Sequence, residues 1–185
     1  MFLVVGLGNP GEEFEGTRHN AGFDVIDRLG DILGVSYWKL ECGALTAKGV
    51  WADTDLILAK PQSYMNTSGG PVKHLLDAYG LSPSDLIVIH DELDIEPGSI
   101  RVKFGGGHAG HNGLRSICDK LNTRDWYRIR VGIGHPLGRM SGADFVLSVP
   151  KGQESDDFDF AEEEAAKAVL SLIDNGLEKT QQDFN

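Results

Sequence analysis

The chain has 185 residues, 41% of them hydrophobic, which is near the usual size of one compact domain and enough to bury a core. Its net charge of −11 argues against a uniformly basic surface, and its two cysteines, Cys42 and Cys118, are too few for a disulfide framework or a cysteine metal site. No apolar run approaches a membrane span and the first apolar stretch follows no basic segment, so we expect a chain of a reducing cytoplasm with no membrane association.

In chain order, Phe2-Leu3-Val4-Val5 reads as a strand apolar enough to be buried on both faces. Gly6-Leu7-Gly8-Asn9-Pro10-Gly11 follows at once and matches G-x-G-x-x-G. Such a loop holds a dinucleotide's phosphates when a helix starts directly after it, but Pro10 interrupts and helical spacing begins only near Asn20. The alternative is a loop that aims the amide of Asn9 at the carboxyl end of the strand, where open α/β sheets bind ligands.

Helical spacing runs through Ala21, Val25, Ile26, Leu29, Ile32 and Leu33, and Leu56 to Ala59 is a second buried strand. The polar stretch Lys60 to Gly69 offers Ser68 as an N-cap and the amide of Asn66 to a ligand. A helix through Val72, Leu75, Leu76 and Tyr79 and a strand over Leu86 to Ile89 come next. His90-Asp91-Glu92-Leu93-Asp94 then reads either as an acidic turn or as a site at a strand's carboxyl end. The glycine run Gly105 to Gly113 leads into a helix through Leu114, Ile117, Cys118 and Leu121, and Arg128 to Ile133 is a fourth strand. A last helix from Phe158 through Ile173 stops at Asn175-Gly176. Strands alternating with helices predict one α/β domain over residues 1–185, with a twisted, mostly parallel (mixed) sheet flanked by helices on both faces.

Charge is unevenly spread: residues 1–96 sum to −9, residues 97–143 to +6 and residues 144–185 to −8. The middle segment, with Arg101, Lys103, Arg115, Lys120, Arg124, Arg128, Arg130 and Arg139, is a basic island able to face phosphates, or a solvated surface of uneven charge.

Three stretches carry groups that hold or move protons without being needed for a core. His19 stands just before a helix, where the dipole disfavours the charged imidazolium and favours a neutral base. Asp91, at the end of a buried strand, can fix the tautomer of such a base. Gly105 to Gly113 brings backbone N–H groups, a helix N-terminus and Asn112 together, as an oxyanion site or as a flexible hinge. No H-E-x-x-H and no G-x-S-x-G appears, so neither a metal nor a serine nucleophile is expected, and water activated by His19 is the simplest chemistry.

Gly6 to Gly11, Thr17-Arg18-His19-Asn20-Ala21-Gly22, Lys60 to Gly69, His90 to Asp94, Gly105 to Gly113 and Arg130 to Pro136 together resemble bacterial peptidyl-tRNA hydrolases over roughly residues 2–150. The resemblance implies a monomeric, cofactor-free and metal-independent cytoplasmic esterase that frees tRNA from stalled peptides. By position it implies His19 as the base, Asp91 as its orienting partner, and Asn9, Asn66 and Asn112 as holders of substrate and water. Met65 would line a peptide channel. Lys103 and Arg130 would clamp a tRNA phosphate, inside the basic island, and residues 137–150 would form a lid. Phe14 falls among the tRNA-contacting positions, but as phenylalanine it offers no hydrogen bond where some relatives have tyrosine. Residues 178–185 are acidic where relatives often carry basic residues, which leaves tRNA affinity to residues 97–143.

Overall fold

The computed structural model describes residues 1–185. Seven strands form one sheet: β1 (Phe2–Gly6), β2 (Lys39–Glu41), β3 (Ala44–Trp51), β4 (Thr54–Pro61), β5 (Leu86–Glu92), β6 (Ile100–Phe104) and β7 (Tyr127–Gly132). Their order across the sheet is β2-β3-β4-β1-β5-β7-β6. The central pairs β4–β1, β1–β5 and β5–β7 are parallel, and the outer pairs are antiparallel. Six α-helices accompany the sheet, three between strands, α1 (Ala21–Ile32), α2 (Gly69–Ala78) and α3 (Asn112–Leu121), and three after β7, α4 (Gly142–Val146), α5 (Gln153–Asn175) and α6 (Leu177–Phe184). None is long and apolar enough to cross a membrane.

Period-two alternation along the central strands fills two cores. Val4, Ile87, Ile89, Ile129 and Val131 meet α1 and α5 on one face, while Leu3, Val5, Leu86 and Val88 meet α2 and α3 on the other. Strands covered on both faces carry no polar alternation, which is why β1, β4 and β5 read as continuous apolar runs.

Three strands are not apparent from the sequence pattern: β2, β3 and β6, all at or next to an edge and half exposed. The hairpins β2–β3 and β3–β4 turn on Cys42-Gly43 (φ 52 and 77) and Ala52-Asp53 (φ 49 and 60), left-handed pairs of which only the first contains a glycine. Nor is α6 evident beforehand. Gln181 and Asn185 of this last segment bond the backbone of Val102, so the edge of β6 is covered.

The first glycine loop serves close packing. A Cβ on Gly6 would strike the carbonyl of Gly22, and one on Gly22 would strike the backbone of Leu7 and Ile89. Leu7 N–H also donates to Ile89 C=O at 3.0 Å. Two facing glycines therefore let the start of α1 lie directly on the carboxyl ends of β1 and β5, which brings the turn before α1 to the end of β5.

This contact predicts a contrast. Gly22→Ala pushes a methyl into two backbones that cannot yield, so urea unfolding should show a loss of about 3 kcal/mol. Gly70 lies in α2 with nothing within 4 Å of a Cβ, and Gly70→Ala should be neutral or stabilise by about 0.5–1 kcal/mol.

Candidate active site

The short helical turn Arg18–Asn20 places His19 at the mouth of α1, and β5 carries Asp91 to its carboxyl end. Nδ1 of His19 lies 2.8 Å from one oxygen of Asp91. The other oxygen of Asp91 lies 2.8 Å from Nε2 of His111, the residue just before α3. All three side chains are largely buried; His19 is 13% exposed, Asp91 3% and His111 10%.

The hydrogen-bond partners point to one tautomer for each histidine. His111 Nδ1 accepts from the backbone N–H of Gly113 at 3.1 Å and of Leu114 at 3.4 Å, so its proton sits on Nε2 and is donated to Asp91. Asp91 is then a carboxylate that accepts from two imidazoles, and His19 donates Nδ1–H to it. That leaves Nε2 of His19 unprotonated, the state a base requires.

Titration follows from these contacts. Burial raises the pKa of Asp91, but the two imidazoles outweigh it and hold the carboxyl well below the usual range. Burial lowers that of His19, but the charge of Asp91 and the bond to it leave the imidazole above its ordinary value. His90, one residue before Asp91, is 1% exposed and donates Nδ1–H to the Asp91 carbonyl. Its Nε2 has no partner, and burial pushes its pKa down to about 3.

His19, Asp91 and His111 lie close enough to hold a cation, with ligand atoms within 4.8 Å of one another. The fit is poor for a shared metal, because a metal on His111 Nε2 would need the proton moved to Nδ1, against the two N–H groups of α3. His108 is not part of the cluster; its Nδ1 accepts from Gly110 N–H in its own loop.

His19, Asp91, Glu92, Leu93, Ala109–Asn112, Gly142, Ala143 and Val146 line a cavity of about 250 Å³. Segment 137–150 thus supplies one wall through α4. Asn112 is exposed, forms no protein hydrogen bond through its side chain, and faces both this cavity and a polar one shared with Asn66. Asn66 is likewise exposed on the turn Met65–Thr67.

Other residues singled out in the sequence stand elsewhere. Asn9 does not line the His19 cavity; its backbone and the amide of Asn20 bond reciprocally, and its Oδ1 accepts Met65 N–H at 2.7 Å. Met65 is 4% exposed in the core, against Gly113. Phe14 packs edge-on against Tyr64, 6.4 Å between ring centres. Ser68 sits at the N-cap position of α2, but its hydroxyl donates to Met65 C=O and does not cap the helix. In the glycine run, two of the first amides of α3 are taken by His111, which removes them from an oxyanion site.

The basic island divides in two. Strands β6 and β7 pair Arg101 with Arg130 and Lys103 with Arg128, so all four side chains share one face. Arg128 is fully buried, stacked 3.9 Å from the Trp126 ring, and donates to the carbonyls of Gly106 at 2.5 Å and Gly107 at 2.6 Å. It braces the glycine loop and is not available to phosphate. Lys103 has no ion-pair partner, and burial with the charges of Arg130 and Arg128 lowers its pKa. Arg130 has only Glu92, at 3.7 Å, and its Nε is unpartnered. Two under-neutralised cations therefore lie beside a residue of the His19 cavity.

Three features of the site are not foreseen from the sequence: the contact of His111 with Asp91, the burial of His90 and the burial of Arg128.

A peptidyl-tRNA hydrolase family model matches residues 3–185. The peptidyl-tRNA hydrolase of Frankia alni is 49% identical over 184 residues, covering 100% of this chain and 93% of its own. That of Rhodococcus erythropolis is 48% identical over 180 residues, covering 97% and 95%. The crystal structure of peptidyl-tRNA hydrolase from Acinetobacter baumannii superposes with a TM-score of 0.91 at 37% identity, covering 98% of this chain and 93% of that one.

The buried His90 predicts a pH effect. The unfolded chain takes up this proton near 6.5 and the folded chain only near 3, so stability falls as pH drops through that interval. The difference between wild type and His90→Gln, measured by urea unfolding, should isolate this slope: one proton's worth in wild type, absent in the variant.

Proposed function

The chain belongs to the peptidyl-tRNA hydrolase family and hydrolyses the ester of peptidyl-tRNA, and we propose that His19 is its base, oriented by Asp91. The observation that carries this reading is the 2.8 Å contact of His19 Nδ1 with Asp91, which commits that nitrogen and leaves Nε2 as the free ring nitrogen of a residue lining the cavity, behind a carboxylate also bound by His111.

In the proposed sequence, His19 Nε2 takes a proton from water as the oxygen attacks the ester carbonyl. The tetrahedral intermediate collapses, the bond to the terminal ribose oxygen breaks, and His19 returns the proton to that oxygen. Asp91 stabilises the transient imidazolium. Asn112 and Asn66, whose amides have no protein partners, are the groups placed to hold the water or the oxyanion. Lys103 and Arg130 receive a tRNA phosphate. No metal takes part, and we place the reaction in the cytoplasm, carried out by a monomer.

The test is cleavage of an N-blocked aminoacyl-tRNA, with and without chelator. Wild type should cleave equally in both, and loss on chelation restored by a divalent ion would overturn the metal-free reading. His19→Ala should lower turnover by roughly 10² to 10⁴ with little change in tRNA affinity. Asp91→Asn should fold and lose less. Wild-type turnover in His19→Ala would contradict the assignment.

Replacing both Lys103 and Arg130 with alanine should weaken apparent affinity far more than turnover and flatten the slope of log affinity against log salt by about one unit. An unchanged salt slope would move the phosphate contact to other cations of the island.

A further inference from the structure

Arg18 precedes His19 in the same short turn, yet its side chain runs the other way and is 7% exposed. There Nη1 lies 2.6 Å from the Ser148 hydroxyl, 3.3 Å from the Ser148 carbonyl and 3.5 Å from the Phe145 carbonyl. Nη2 meets Glu154 at 2.5 Å, at the start of α5. The guanidinium also stacks 4.0 Å from the Phe145 ring, and the backbone N–H of Arg18 donates to Ser148 C=O at 3.1 Å. These contacts all fall on one segment, Phe145 to Glu154. That segment directly continues α4, whose Gly142, Ala143 and Val146 form the cavity wall facing His19.

We propose that Arg18 is a positioning residue for ester hydrolysis, holding the α4 wall in register with His19 so that the acyl group is clamped against the base. The proposal rests on the reading of His19 above. A buried guanidinium is costly unless its donors are satisfied, and here the satisfied donors converge on Phe145 of the wall and on the segment that follows it to Glu154, not on the sheet. Phe145 is the pivot: its carbonyl and ring both touch Arg18, and its neighbour Val146 lines the cavity. A shift of about 1 Å in such a wall can cost about 10²-fold in rate.

The experiment measures turnover on N-blocked aminoacyl-tRNA for wild type, Arg18→Lys, Phe145→Leu and the double variant, well below each melting midpoint. Lysine keeps the charge but loses the fork and the stack, and Phe145→Leu removes the stack while sparing every hydrogen bond of Arg18. Arg18→Lys should lose roughly 10- to 100-fold in kcat. Competition by deacylated tRNA and the pKa of the pH–rate profile should stay as in wild type, since the His19–Asp91 contact is untouched. The double variant should be little worse than Arg18→Lys alone. An inactive wild type would sink the functional reading and the proposal with it. An active wild type whose kcat is retained in full by Arg18→Lys and Phe145→Leu, or strictly multiplicative losses, would overturn the proposal alone.

Discussion

One carboxylate holds the site together. Asp91 accepts from His19 on one oxygen and from His111 on the other, both at 2.8 Å, and neither histidine has another way to satisfy the nitrogen it commits there. Because His111 spends Nδ1 on the first amides of α3, its orientation is tied to a helix terminus. His19, Asp91, His111 and the start of α3 are thus one hydrogen-bonded unit, in which moving any member leaves a buried polar group unpaired.

The fold supplies that unit by close packing at the carboxyl ends of parallel strands. Gly6 and Gly22 permit a backbone approach that no side chain would allow, and so the turn carrying His19 reaches the end of β5. From the other side, Arg128 ties the glycine loop to β7 through two carbonyls, which sets where His111 begins α3. Next to this internally satisfied centre stand Lys103, which has no ion-pair partner, and Arg130, which has only Glu92 at 3.7 Å. On the proposed reading, a phosphate-bearing substrate would meet His19 at the end of β5 and these cations on the neighbouring strands β7 and β6.

Much of this was legible in the sequence. The buried strands β1, β4 and β5 announce themselves as apolar runs, and the four long helices by their 3.6-residue spacing. Edge strands hide because half their residues face water, and Ala52-Asp53 carries no turn signature. The resemblance of six motifs led to the family that the matched relatives share. His19 and Asp91 each stood out, but nothing in spacing says that His111, twenty residues on, reaches Asp91 as well. A histidine directly before a helix is the one available signal, since it can cap. Strand alternation put Arg128 among the cations without revealing that a loop covers it. His90 read as part of a turn because β5 continues in polar residues past its apolar run.

The tautomer of His19 is the most direct test of this account. In ¹⁵N-labelled protein above the titration of His19, nitrogen chemical shifts should report a proton-bearing Nδ1 and a bare Nε2 for His19, and the reverse for His111. A proton on Nε2 of His19 at that pH would contradict the account, because the nitrogen facing the cavity could then only donate.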